Sequence, residues 1–129
     1  MRRALIIGAV ALGALAAAAP AQGFIYWANW GPGTAGGTTI GRANIDGTGM
    51  DNNFIGGAEF PCGVAINDTH IFWGNNEDTS TGNPGTTIGR ANIDGTGVNQ
   101  SFVTGASSPC GPAVDDSFLY WANFDTGSL

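Results

Sequence analysis

Apolar residues in this chain come in short bursts, and polar turn formers separate them. Phe24–Trp30 is an aromatic and β-branched run. Thr38–Ile45 follows and stops at Asp46-Gly47, a dipeptide that favours the tight turn of a β-hairpin. Asn53–Ile55 is a brief strand closed by Gly56-Gly57, and Cys62–Ile66 is small and apolar, closed by Asn67-Asp68. Four short strands with short turns predict an antiparallel meander. The alternation of a half-wetted sheet is missing, because Phe24, Ile25, Tyr26, Trp27 and Ala28 are apolar at consecutive positions. Such a strand is expected to have both faces covered by neighbouring sheets, as in the blades of a propeller.

The pattern then repeats. GTTIGRANIDGTG stands at Gly37–Gly49 and again, unchanged, at Gly85–Gly97. FIYWAN, HIFWGN and FLYWAN are three versions of one strand, and FPCGVAIND and SPCGPAVDD are two versions of another. Trp27, Trp73 and Trp121 are 46 and 48 residues apart, and Cys62 and Cys110 are 48 apart. A unit of this length falls in the range of propeller blades. Units are expected at about residues 24–70 and 71–117, with a third starting at 118–129.

Composition changes the picture at the N-terminus. Arg2 and Arg3 precede the apolar run Ala4–Ala19, and Ala19-Pro20-Ala21 is an A-x-A site. This predicts a signal peptide over residues 1–21, cut after Ala21, and a secreted domain over 22–129. Beyond the leader, Arg42 and Arg90 are the only cations against ten carboxylates, a net charge of −8. That balance argues against nucleic acid and against an anionic membrane surface, both of which require clustered cations.

The order IYW-A-N, then IGRANIDGTG, then a short apolar strand, then PCGVAIND resembles the YWTD repeat, the class B repeat of low-density-lipoprotein receptors. The likeness covers essentially all of Phe24–Asn123 and is most specific at the twice-written I-x-R-A-x-I-D-G string. It implies an all-β fold of four-stranded propeller blades, six of which close a ring in that family. Asn29, Asn75 and Asn123 stand where the family usually has Asp, and Ala28, Gly74 and Ala122 replace its Thr. Counted in family order, the chain supplies about nine strands, or two blades and one strand more. An incomplete propeller is therefore expected, read as a fragment of a longer propeller. In the competing arrangement several chains complete a ring, and three copies would each carry one strand too many for six blades.

Several repeated positions invite a chemical reading. Arg42 and Arg90 suit either an anion clamp or a staple between blades, bonded to carbonyls or a carboxylate. Asn29, Asn75 and Asn123 suit either the satisfaction of backbone groups in the adjoining turn or a calcium or sugar site. Asp46 and Asp94 open D-G-T-G turns and lack the D-x-D-x-D-G pattern of a calcium loop. Cys62 and Cys110 are either a disulfide or two buried thiols, since the expected compartment favours a bridge and the splay of inner strands opposes it. His70 is the only histidine, so neither a zinc site nor a hydrolytic triad can be assembled from sequence.

These features point to a non-enzymatic binding or scaffold module with no cofactor. Its partner would be a protein or carbohydrate met by the Gly-rich loops Gly31–Gly37 and Asn76–Gly85. Exposed blade faces would also permit self-association. The alternatives are a propeller enzyme resembling streptogramin lyases and a gene fragment without function.

Overall fold

The computed structural model describes residues 23–31, 37–78 and 80–124. The expected leader (1–21), most of the loop Gly31–Gly37 and the tail 125–129 lie outside the described residues. All regular structure among the described residues is strand: β1 (Phe24–Asn29), β2 (Thr39–Asn44), β3 (Asp51–Gly56), β4 (Pro61–Ile66), β5 (His70–Glu77), β6 (Pro84–Asn92), β7 (Asn99–Thr104), β8 (Pro109–Val114) and β9 (Leu119–Asn123). They form three antiparallel sheets in the orders β1-β2-β3, β4-β5-β6-β7 and β8-β9. The fold is an incomplete propeller: a full four-stranded sheet lies between a three-stranded and a two-stranded one. The inner strands β4 and β8 lie beside each other, and β1 packs on β4.

The repeated sequence makes repeated contacts. In the first sheet Trp27 pairs with Gly41, and in the middle sheet Trp73 pairs with Gly89. Each indole lies across its glycine so closely that a Cβ there would collide with Cε2, Cζ2 and Nε1 of the ring. The Gly of IGRAN is thus the seat of the preceding strand's Trp. The main core fills the space between the first and middle sheets and contains Ile40, Ile55, Ala58, Ile71, Trp73 and Ala91.

The expectation that each aromatic strand is covered on both faces holds only for the middle sheet. Ile71, Phe72 and Trp73 of β5 are buried, whereas Ile25 of β1 and Tyr120 of β9 are exposed. Phe72 is 6% exposed and its counterpart Tyr120 is 53% exposed. The difference arises because β5 has a sheet on each side and β9 has one on a single side. Covering a side chain of this size is worth about 1.5–3 kcal/mol.

The loop expected over Asn76–Gly85 is shorter than its sequence implied. The β5–β6 ladder continues past a register shift to pair Glu77 with Pro84, so only Asp78–Asn83 turn the chain. Asp78 N–H donates to the Asn83 carbonyl (2.8 Å) and its carboxylate accepts from Ser80 N–H and Oγ. The third strand of the first unit is also longer than the brief Asn53–Ile55 strand read from sequence, because backbone pairing with β2 extends it over Asp51–Gly56.

The inner strands decide the state of the cysteines. Cys62 and Cys110 form a disulfide with Cα atoms 4.8 Å apart, inside the usual span of roughly 4.4–6.8 Å. The splay expected between neighbouring inner strands is removed by a bulge between Cys62 and Val64, where Gly63 adopts φ +74°. A Cβ on Gly63 would stand 2.9 Å from Gly111 Cα and from Pro112 Cδ. A bulged glycine therefore brings the two backbones together at the residue next to each cysteine.

Candidate functional site

A meander places its connections alternately at two ends. The β3–β4 and β7–β8 connections and the β5–β6 hairpin share one end. The β2–β3, β4–β5, β6–β7 and β8–β9 turns share the other. The chemistry of the repeat is divided between them.

At the first end, the Asn two residues after each Trp ties strands and connections together, most fully at Asn75. Asn75 is 1% exposed. Its Nδ2 donates to Thr87 Oγ1 and to the Gln100 carbonyl (both 2.9 Å), and its Oδ1 accepts the Glu59 N–H (3.0 Å). The donations hold the middle sheet, and the acceptance ties that sheet to the connection arriving from the first. Asn29 makes the same donations, to Thr39 Oγ1 and the Asn52 carbonyl (both 2.8 Å). Asn123 makes the same acceptance, from Ser107 N–H (3.0 Å). Asp could not replace Asn75 in this role, since a carboxylate has no proton to give a carbonyl.

Sequence reasoning missed two participants at this end. Gln100 Oε1 accepts the Trp73 Nε1–H (3.0 Å), and its Nε2 donates across the sheets to the Gly56 carbonyl (3.0 Å). In the first sheet the counterpart is the shorter Asn52, and Trp27 Nε1–H donates to Asn29 Oδ1 instead (3.0 Å). The only signal was a Gln where the repeat otherwise writes Asn. The second is a pair of strained corners, Phe60 (φ 43°) and Ser108 (φ 42°), each preceding a proline. Side-chain-bearing residues avoid this region, and a following proline favours extended backbone. The corner aims each carbonyl at the strand beside it: Phe60 O accepts Asn76 N–H (3.3 Å), and Ser108 O accepts Phe124 N–H (3.1 Å) and, from the middle sheet, Asn76 Nδ2–H (3.1 Å).

At the opposite end, Asp46 and Asp94 build identical turns. Asp46 Oδ1 accepts Thr48 N–H (2.9 Å) and Thr48 Oγ1–H (2.7 Å), and Asp94 does the same with Thr96 (2.9 and 2.6 Å). The Thr hydroxyl and then the Thr N–H hold each carboxyl below the usual aspartate range. Asp115 is lowered in the same sense by Ser117 N–H and Phe118 N–H. These carboxylates are engaged within their own turns.

The arginines, which the sequence leaves as an anion clamp or a staple between blades, lie against aromatic rings. Arg42 lies over the rings of Phe24 (4.6 Å) and Phe54 (3.9 Å), and Arg90 lies over Phe102 (4.1 Å), all within the arginine's own sheet. The rings flank it because β2 and β6 run between strands that carry aromatics at the same level, and a guanidinium binds their electron-rich faces. Phe54 in turn packs on Gly95 of the middle sheet's turn, so Arg42 braces a ring that meets the next sheet.

Two open clefts lie at the ends. One, about 150 Å³, is lined by Asn76, Glu77, Gly82, Pro84 and Ser108, between the β5–β6 hairpin and the strained corner. The other, about 370 Å³, is lined by Asn67, Asp68, Thr69, Val114, Asp115 and Asp116. No group of three or more His, Cys, Asp or Glu is placed to hold a metal among the described residues. His70 Nδ1 is in hydrogen-bond contact with Thr69 Oγ1 (2.8 Å). No family model matches this chain, and no curated protein matches it at a significant level.

Proposed function

We propose that this chain is a secreted, non-enzymatic binding module. On this reading it is built from YWTD-like repeats and uses the end bearing the β5–β6 hairpin as its ligand surface. One observation carries the reading. The repeated polar residues (Asn75, Asp46, Asp94 and their counterparts) are engaged in holding strands and turns, whereas the Asp78–Asn83 hairpin extends beyond the repeat and borders a cleft. The Glu77 carboxylate and Asn76 Oδ1 offer acceptors there, and Pro84 offers an apolar face. That mixture suits a carbohydrate or a polar peptide. A binding loop held on a rigid sheet is the usual division of labour in repeat proteins.

The test is a glycan and peptide array probed with the parent chain and with a variant whose residues 78–83 are shortened to Asn-Gly. The reading predicts defined binders that the variant loses, with thermal unfolding unchanged. No binder, or equal binding by the variant, would overturn it.

A further inference from the structure

The chain makes one complete sheet-to-sheet junction, between its first and middle sheets, and holds the two halves of a second one apart. Phe54 of the first sheet is capped by Gly95 of the middle sheet's turn. Its counterpart Phe102 on the middle sheet is 38% exposed. The counterpart of Gly95 is Gly47, and nothing lies within 4 Å of the position its Cβ would take. The uncapped ring and the unfilled turn sit on opposite sides of the molecule, and Gly37–Gly49 and Gly85–Gly97 are identical in sequence.

The strands show the same complementarity. β5 pairs on both sides, with β4 and β6, but β1 pairs only with β2 and has no inner strand among the described residues. β8 is an inner strand of the β4 type, and its partner β9 (FLYWAN with its preceding Phe118) differs from β1 (FIYWAN) only by Leu119 in place of Ile25. β9 is also the weaker holder of that place. It pairs with β8 alone and its side chains are half or fully exposed, whereas β1 packs Tyr26 and Ala28 on the main core.

We propose that β8 of one copy pairs with the free edge of β1 of a second copy, displacing β9, to form a shared four-stranded sheet β8-β1-β2-β3. The register follows from that of β8 with β9: Pro109 opposite Asn29, Cys110 opposite Ala28, Ala113 opposite Tyr26 and Val114 opposite Ile25 of the second copy. The Asp46-Gly47 turn of the second copy then caps Phe102, and its Asn29 Oδ1 accepts Ser107 N–H as Asn123 does in the single chain. The contact is head-to-tail, so it closes into a ring or continues as a filament. With β9 displaced, the remaining described strands complete two four-stranded sheets per copy. Closed propellers hold roughly four to eight blades, so a ring would take about two to four copies. This inference does not depend on the ligand reading.

The test uses the purified chain with light scattering after size exclusion, and two variants that each add one cysteine to the Cys62–Cys110 pair, Ala113→Cys and Tyr26→Cys, mixed under mild oxidation. The expected result is a discrete oligomer of two to four copies and a disulfide between unlike variants. A mixture of Ala113→Cys with Ser101→Cys, which lies on β7 at the far edge of the middle sheet from its inner strand, should give none. Truncation after Asp116, which removes β9, should preserve or strengthen association. A monomer at every concentration, loss of association on truncation, or equal cross-linking in both mixtures would each overturn the proposal.

Discussion

Replacing Asn by Asp at the three equivalent positions separates the role of the side chain from the degree of its burial. At Asn75 the change removes both donations of Nδ2. The Thr87 hydroxyl can rotate to donate, but the Gln100 carbonyl loses its side-chain donor and faces a carboxylate. An unsatisfied buried group costs about 1–3 kcal/mol, and an uncompensated buried charge raises the loss to about 3–5 kcal/mol. At Asn29 the same two donations are lost in a half-buried setting, for roughly 1–2 kcal/mol. At Asn123 the side chain only accepts, from Ser107 N–H and Trp121 Nε1–H, which a carboxylate does equally well, so the change should stay within about 0.5 kcal/mol. Urea unfolding of the three variants with the disulfide intact reads these losses as midpoint shifts. The expected order is Asn75, then Asn29, then Asn123. The loss at Asn75 should shrink in acid, because burial raises the introduced carboxyl's pKa and its protonated form can donate to the Gln100 carbonyl. Equal losses at all three positions would refute the argument.

The remaining predictions follow the same geometry. The double substitution Cys62→Ser with Cys110→Ser opens a 48-residue loop and should lower stability by ~4 kcal/mol, read as a urea midpoint that reductant no longer moves. Gly89→Ala drives a Cβ into the buried Trp73 indole and should cost about 1–3 kcal/mol with a shift in tryptophan emission, and Gly41→Ala should cost less because Trp27 is only half-buried. Asp46 and Asp94 are held below the ordinary value of 3.8, so their contribution is present above that pH and lost as pH falls through their folded values. Thermal unfolding between pH 7 and about 2 should show that decline, and the double variant Asp46→Asn with Asp94→Asn should flatten it.

Much of the architecture is legible because it is local. The turns at Asp46-Gly47 and Asp94-Gly95 are specified by their own side chains and by glycine at positive φ, so four residues suffice to predict each one. Strand positions follow from apolar bursts bounded by such turns, and the 48-residue spacing identifies the repeated unit. The candidate site is less legible. Its hairpin looked like a loop because Gly82, Asn83 and Pro84 are turn formers, yet backbone pairing of Glu77 with Pro84 shortens it. Arg42 and Arg90 could be seen to repeat, but their partners are rings brought alongside by strand register, which a linear reading does not supply.

The sequence by itself determined the all-β class, the repeat, the turns and the equivalence of the three Trp and three Asn positions, because these depend on neighbours a few residues apart or on identity between copies. Only the tertiary structure decided which copy of each residue carries weight. Asn75 and Trp73 are buried and fully bonded while Asn123 and Tyr120 face solvent, although the strands that hold them read almost alike. It also decided the disulfide, through a bulge that brings Gly63 against Gly111. Burial and close approach depend on what stands on the far side of a sheet, and that is set by packing between segments about fifty residues apart, not by the segment's own residues.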